Sequence, residues 1–498
     1  MPTQDAGAMT LEQIHDFKGK YPKQLWYLFL SEMWERFAFY GMRGMLTVFM
    51  VEQLHLSEKD ANLKYGAIQA FIYTMAFVGG LFADKILGFR KSIFWGGFLM
   101  IIGSFTLAFS PQHLYYIGIC FNIVGTGFFK PNISTIVGNL YRTGDHRRDA
   151  GFGLFYSGIN IGALLGGWLC ISAANSYSWN VAFSLAGIGM TIGLGIFIFT
   201  KRTLGPIGLS PLAAKFTASR IRLYDIMVYA GSLLVIPFIL LLISNTGYTD
   251  LFMYIVGPAA FLYIIFEMMK LGKAERQKLA AALVFIIFSV FFWAFFEQAG
   301  GSLSLFARYN LHHKVLGITF DPNAINNAAN SLFVIILSPL FGLLWLWLSD
   351  RKLEPNTVIK FGLGFLFVSL AFYVFFYTRF FADASGLTSL NVFTLAYLVI
   401  TFGELCLSPI GLSLMTKLAP QKLHGMMMGM WFLASAYGQY AAGIFGADMS
   451  VTTPNATLTA KLMAYTEGYK ELALYALIAG VVLIVLSPLI RKLMHEVH

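Results

Sequence analysis

LWYLFLSEMWERFAFYGMRGMLTVFMV, residues 25–51, joins an apolar run longer than a bilayer needs to four charges set inside it. A membrane-crossing helix takes about 20 apolar residues. Glu32, Glu35 and Arg36 follow the i, i+3, i+4 spacing of one helix face, and Tyr40 and Arg43 continue it. At about 100° per residue all five fall within an arc of roughly 140°. A face with two carboxylates, a phenol and two guanidinium groups has no business against lipid, so this helix must line a protein interior.

The rest of the chain has the same character. Of 498 residues 57% are hydrophobic and 12% charged, with 48 Phe and 48 Gly. That composition excludes a soluble globular protein of this length. It points to an all-α, polytopic membrane protein, in which large apolar side chains face lipid and glycines let helices approach closely. Residues 1–22 are polar and contain no removable signal peptide, so the first span acts as the insertion signal. Cys120, Cys170 and Cys406 all lie in apolar spans and are expected to be packing residues rather than disulfides or metal ligands.

About fourteen spans emerge: 23–50, 62–83, 92–110, 113–140, 150–174, 179–200, 224–244, 251–269, 280–307, 325–348, 357–378, 390–416, 425–446 and 470–490. Lys and Arg gather on alternate loops, twenty-five against seven, the seven being Lys59, Lys64, Arg308, Lys314, Arg379, Lys461 and Lys470. This bias puts both termini in the cytoplasm. The basic residues are scattered over loops rather than gathered on one face, which argues against nucleic acid as a partner despite the net charge of +10. Basic connectors at 201–222 and 270–278 divide the spans into a 6+2+6 arrangement. The expected domains are a six-helix bundle (1–200), a connector region with two additional helices (201–275) and a second six-helix bundle (276–498). GLFADKILGFRK (80–91) is echoed by GLLWLWLSDRK (342–352), as two halves related by an internal repeat would be. The two additional helices bring no buried charge apart from Glu267, near a helix end, and read as structural.

Arg36, Arg43 and Lys130 are the basic residues left inside spans, with Glu32, Glu35, Glu297 and Glu404 as their acidic counterparts. Each such charge costs about 2.5–3.5 kcal/mol on insertion scales, and such residues mark ligand or ion pathways. Lys130, in GTGFFKPNIST, calls for a carboxylate, and the glutamates of the first span are the nearest candidates. Trp293 and Glu297 are spaced i, i+4, as are Trp431 and Ser435, while Asn160, Asn330 and Tyr73 add uncharged hydrogen-bonding groups. The first half holds three cations and two carboxylates, and the second half two isolated carboxylates. A zwitterion suits a cleft between such halves. Every His falls in a loop or at a terminus, so any proton carrier must be a Glu, its protonation set by burial against nearby Arg and Lys. No nucleophile is paired with a base and no metal-ligand spacing occurs within the spans, which makes an enzyme the least favoured class and calls for no cofactor beyond protons as the coupling ion.

EMWERFAFYGMRG (32–44) resembles the E-x-x-E-R-F-x-(F/Y)-Y-G signature of the proton-dependent oligopeptide transporter family. GTGFFKPNISTIVGNLY (125–141), DAGFGLFYSGINIGA (149–163), FWAFFEQ (292–298), GELCLSP (403–409) and MMMGMWFLAS (426–435) are also similar to that family. GLFADKILGFRK resembles a loop motif of the major facilitator superfamily, which includes the oligopeptide transporter family. The resemblance implies the major facilitator fold with 14 transmembrane helices, two six-helix bundles around a central cavity in a bacterial inner membrane, and uptake of di- and tripeptides coupled to protons. It implies proton coupling by Glu32, Glu35, Arg36, Lys130 and Glu297, and pairing of Arg43 with Glu297. It gives the peptide carboxylate to Arg43 and Lys130, the amino group to Glu404 with Asn160 and Asn330, and the pocket walls to Tyr40, Tyr73, Trp293, Trp431 and Ser435. Phe39 stands where many relatives have Tyr, and Ser331 follows Asn330 where Pro is common; the His that animal members carry in the second helix has no counterpart here. The partners expected are a small peptide and the lipid bilayer, with no oligomeric interface legible. The alternatives are a relative carrying another small anion, such as nitrate, or a modified amino acid, and a peptide sensor that does not transport.

Overall fold

The computed structural model describes residues 9–142, 144–407, 411–420, 423–451, 453 and 456–495. Outside them lie residues 1–8 of the polar N-terminal stretch, Ser408 and Pro409 of the GELCLSP motif, Lys422 and His498. The elements run α1 (Leu11–His15), α2 (Lys23–Arg43), α3 (Leu46–Glu52), α4 (Glu58–Phe82), a π-helical turn (Ala83–Leu87), α5 (Phe89–Phe109), α6 (Tyr115–Asn139), α7 (Arg147–Ser176), α8 (Trp179–Thr200) and α9 (Ala218–Ser244). They continue with α10 (Thr246–Met269), α11 (Lys273–Phe296), a 3-10 turn (Glu297–Gly300), α12 (Ser302–Asn310), a small hairpin of β1 (Lys314–Val315) and β2 (Ile318–Thr319), and α13 (Pro322–Asp350). The chain closes with α14 (Thr357–Tyr377), α15 (Leu390–Leu407), α16 (Gly411–Leu418), α17 (His424–Asp448) and α18 (Leu458–Met494).

Among the described residues, eleven helices are long and apolar enough to cross a membrane. Three further helices of spanning length, α2, α6 and α17, fall short of that apolar measure. They are also the helices that carry the first-span charges, Lys130 and the Trp431–Ser435 pair.

Two expected spans are broken. Residues 23–50 divide at Gly44 and Met45, so Arg43 ends α2 instead of lying mid-helix. Residues 280–307 divide at a 3-10 turn beginning with Glu297, where Gly300 and Gly301 interrupt the helix. The Trp293–Glu297 face is therefore a helix end. Helical periodicity tolerates both breaks, which is why the pattern alone does not show them. The connector at 270–278 is also mostly helix: α11 starts at Lys273, because KAERQKLAAAL consists of strong helix formers.

The chain forms two compact units, Met1–Met45 with Phe71–Ser244, and Leu46–Ala70 with Asn245–His498. Helix α4 is divided between them after Ala70. In the first unit α2 packs on α7 and α8, and α5 on α6 and α8. Gly79 lets α4 meet α6 backbone to backbone: a Cβ there would stand 2.9 Å from Phe128 Cα, whereas one on the adjacent Gly80 would meet nothing nearer than Pro131 at 3.7 Å. Arg90 donates to the carbonyls of Gly205 and Ile207, and Ser210 to that of Ile86, which ties the first basic connector to the turn before α5.

In the second unit α14 lies between α15 and α18, and α11 packs on α17. Phe306, Phe375, Phe393, Tyr397, Tyr465 and Tyr469 form a continuous aromatic cluster. The short α3 and the first turns of α4 belong here by specific bonds. Glu58 receives Lys461 Nζ at 2.6 Å and the Tyr465 hydroxyl at 2.5 Å, and Arg308 Nε lies 2.7 Å from Glu52. Asn62 donates to Ser450 at 3.1 Å, and Thr47 to the carbonyl of Gly300. Beyond them α4 and α17 touch through Gly66 and Gly443, where a Cβ on Gly66 would stand 2.8 Å from Gly443 Cα.

Candidate functional site

In the first unit the charges of α2 form a buried triad. Arg36 Nε lies 3.0 Å from Glu32 Oε1 and also meets Glu35, and none of the three side chains is more than 2% exposed. Spacing within one helix brings the three together; α7 seals them by pressing Gly162 against Met33 and Arg36, where a Cβ would stand 3.0 Å from Arg36 Cβ. Two carboxylates around one guanidinium leave this group one negative charge in excess when all are ionised. It can therefore hold a proton without losing its ion pair.

Phe39 stands beside that triad. The Arg36 guanidinium lies 5.3 Å from the centre of its ring and the Lys130 ammonium 5.8 Å. Lys130 lies closer still to Tyr73, 4.3 Å from the ring centre, and within electrostatic range of both Glu32 and Glu35. Aromatic faces on two sides add cation–π attraction to the electrostatic influence of the carboxylates. Arg43 lies over Tyr40 at 5.7 Å, and Tyr40 packs edge-on to Phe39. Asn160, 6% exposed on α7, donates to its own helix at Tyr156.

The second unit carries the other set. Asn330 Nδ2 donates to Glu404 Oε2 at 2.9 Å and contacts Thr401 Oγ1 at 3.2 Å, which joins α13 to α15. Ser331 continues α13 without interruption after Asn330. Glu297 is 6% exposed at the end of α11, one turn beyond Trp293. Trp293 packs on α17 at Gly438, and Trp431 and Ser435, each 8% exposed, lie on α17 with the Ser435 hydroxyl bonded to the Trp431 carbonyl.

The structure corrects the reading of the two additional helices. Asp225 on α9 is buried and paired with Lys91 of α5. It falls inside the expected 224–244 span but next to its end, where a carboxylate passes for a loop residue. Asp250, placed by the sequence before the 251–269 span, lies within α10 and receives the Tyr440 hydroxyl of α17 at 2.5 Å. Tyr437 and Tyr440 at i, i+3 were the available signal. Among the described residues no group of three or more His, Cys, Asp and Glu comes together as a metal site would require.

The family model described as "PTR2: POT family" matches residues 90–463. The chain belongs to the POT family. Among POT relatives, the "Peptide transporter YePEPT" of Yersinia enterocolitica is 34% identical, over 96% of this chain and 96% of its own. The "Dipeptide and tripeptide permease B" of Aeromonas hydrophila is 32% identical, over 95% and 94%. The crystal structure of a "peptide transporter POT in complex with sulfate" superposes with a TM-score of 0.82 at 32% identity, covering 98% of this chain and all of that one. A POT family transporter in complex with 5-aminolevulinic acid gives 0.82 at 29% identity, covering 97% of this chain. The chain is thus a multi-pass membrane transporter of the major facilitator type.

Proposed function

We propose that the chain is a proton-coupled symporter that imports di- and tripeptides by alternating access. One observation carries the reading: a buried Glu32–Glu35–Arg36 triad on one unit and an Asn330–Glu404 pair on the other, in a chain that matches peptide transporters over nearly its whole length. Cationic groups on the first unit, Arg43 and Lys130, receive the peptide carboxylate. Glu404, with Asn330 and Asn160, receives the amino group, and Tyr40, Tyr73, Trp293, Trp431 and Ser435 enclose the side chains.

Protons bind Glu297 and the triad. Protonation of Glu297 releases Arg43 for the peptide, and the six-helix halves, 1–200 and 276–498 around the accessory region 201–275, rock about the bound ligand. The excess of basic residues on alternate loops supports a bacterial inner-membrane protein with 14 spans and both termini in the cytoplasm. The protein acts without catalysis or cofactor.

The test is uptake of a labelled dipeptide into proteoliposomes driven by a pH gradient, with a tripeptide, a free amino acid and 5-aminolevulinic acid as competitors. The tripeptide should compete and the free amino acid should not. Competition by 5-aminolevulinic acid alone would assign the protein to modified amino acids. Glu32→Gln and Glu297→Gln should abolish accumulation while leaving dipeptide exchange; undiminished accumulation in both removes the coupling assignment.

A further inference from the structure

Helices α9 and α10 follow one another with the exposed Asn245 alone between them, after the exposed Ser244 that ends α9, yet belong to different units. Each has its own set of bonds. On α9, Asp225 holds Lys91, the Ser232 hydroxyl receives Trp95 Nε1 at 2.9 Å, and Tyr229 lies against the Trp95 ring at 4.6 Å between centres, all on α5. On α10, Asp250 receives the Tyr440 hydroxyl and the Met253 carbonyl receives that of Tyr437, both from α17. Gly257 leaves room for the Tyr437 ring.

Only 11% of the apolar stretch of α10 is buried, and these two tyrosines bond it to α17. A main-chain carbonyl inside a helix already accepts a bond, and an aspartate at the membrane level is costly without a donor. Helix α17 carries Trp431 and Ser435, about 14 Å and about 8 Å along the axis from Tyr440 at 1.5 Å per residue.

We propose that α9 and α10 form a tether: α9 moves with the first unit, α10 moves with α17, and the turn at Ser244–Asn245 limits the travel of α17 during the transport cycle, with Asp250 and Tyr440 as positioning residues. The proposal rests on the transport reading for its kinetics only. A helix pair serving merely to fill lipid-facing surface needs neither the two separate attachments nor a short turn.

A short Gly-Ser insertion between Ser244 and Asn245 of the full chain slackens the tether without touching either attachment. In proteoliposomes it should lower the maximal rate of dipeptide uptake roughly threefold or more with KM changed by less than about twofold. In Tyr437→Phe/Tyr440→Phe protein, already slack, the same insertion should add nothing, because two changes to one device are not additive. An unchanged maximal rate, or independent effects of insertion and double variant, overturns the tether.

A second readout needs no substrate. Spin labels at Phe109→Cys on α5 and Asp448→Cys on α17 report their distance distribution, the native cysteines being buried. The insertion should broaden that distribution, and an unchanged width overturns the proposal even if no dipeptide is carried. Failure of dipeptide uptake in the unaltered protein would instead refute only the substrate assignment.

Discussion

Asn330 on α13 directs its amide nitrogen at Glu404 on α15, 2.9 Å away, although 74 residues separate them in the chain. The bond fixes the carboxylate that the transport reading gives to the peptide's ammonium group. A charge-assisted hydrogen bond contributes about 1.5–3 kcal/mol, so Glu404→Gln should raise KM for a dipeptide by roughly tenfold or more. Asn330→Ala, which lets the carboxylate turn, should raise it less. An N-acetylated dipeptide, lacking the ammonium, should be insensitive to both, as competition assays would show.

Glu58 is held by two donors, so removing one and removing the carboxylate should differ. Tyr465→Phe leaves Lys461 in place and should cost about 1–3 kcal/mol. Glu58→Ala leaves the Lys461 charge and the Tyr465 hydroxyl together without their acceptor and should cost more, about 3–5 kcal/mol. Thermal unfolding in detergent measures both, and the double variant should fall short of the sum.

The α4–α6 contact makes a prediction from neighbouring glycines. Gly79→Ala drives a methyl group into the backbone of α6, which has no side chain to swing away, and should destabilise the protein by about 1–3 kcal/mol or prevent its expression. Gly80→Ala meets only Pro131 at an ordinary contact distance and should be tolerated. Equal yields and unfolding temperatures for the two would contradict the close approach.

Between α6 and α7, the Arg147 guanidinium donates to both carboxylate oxygens of Asp145 and the Arg147 backbone N–H to one of them, which holds the carboxyl at about 2, below the usual 3.8. A lowered carboxyl adds stability that is present above the unfolded value of about 4 and lost as pH falls toward the folded one. The pair therefore stays ionised between about pH 5 and 8, where transport is assayed. Asp145→Asn should speed proteolysis of this loop while leaving the pH profile of uptake unmoved.

Much of this was legible in the chain. Apolar run lengths mark the spans, and the i, i+3, i+4 spacing of Glu32, Glu35 and Arg36 is enough to place the triad, because one helix supplies all three. The helix ends at Arg43 and Glu297 are different: local propensity and periodicity continue through them, and only tertiary packing decides where the helices stop. Asp225 and Asp250 were hidden for another reason. Their partners lie 134 and 190 residues away, and a carboxylate near a span boundary is indistinguishable from a loop residue until its donor is known. Lys130 shows the same limit, since its aromatic neighbours Tyr73 and Phe39 come from two different helices.

Gly66 and Gly443 bring two helices to main-chain contact with no side chain on either side. Such a seam works like a zip fastener with its catch at one end. The directional bonds lie to one side of it, from Asn62 to Ser450 just past α17 and from Lys461 and Tyr465 of α18 to Glu58, and where Gly66 meets Gly443 no side chain has to move aside for the helices to part. Reclosure is equally undemanding, because bare backbone needs no side chain to find its rotamer before the surfaces meet again.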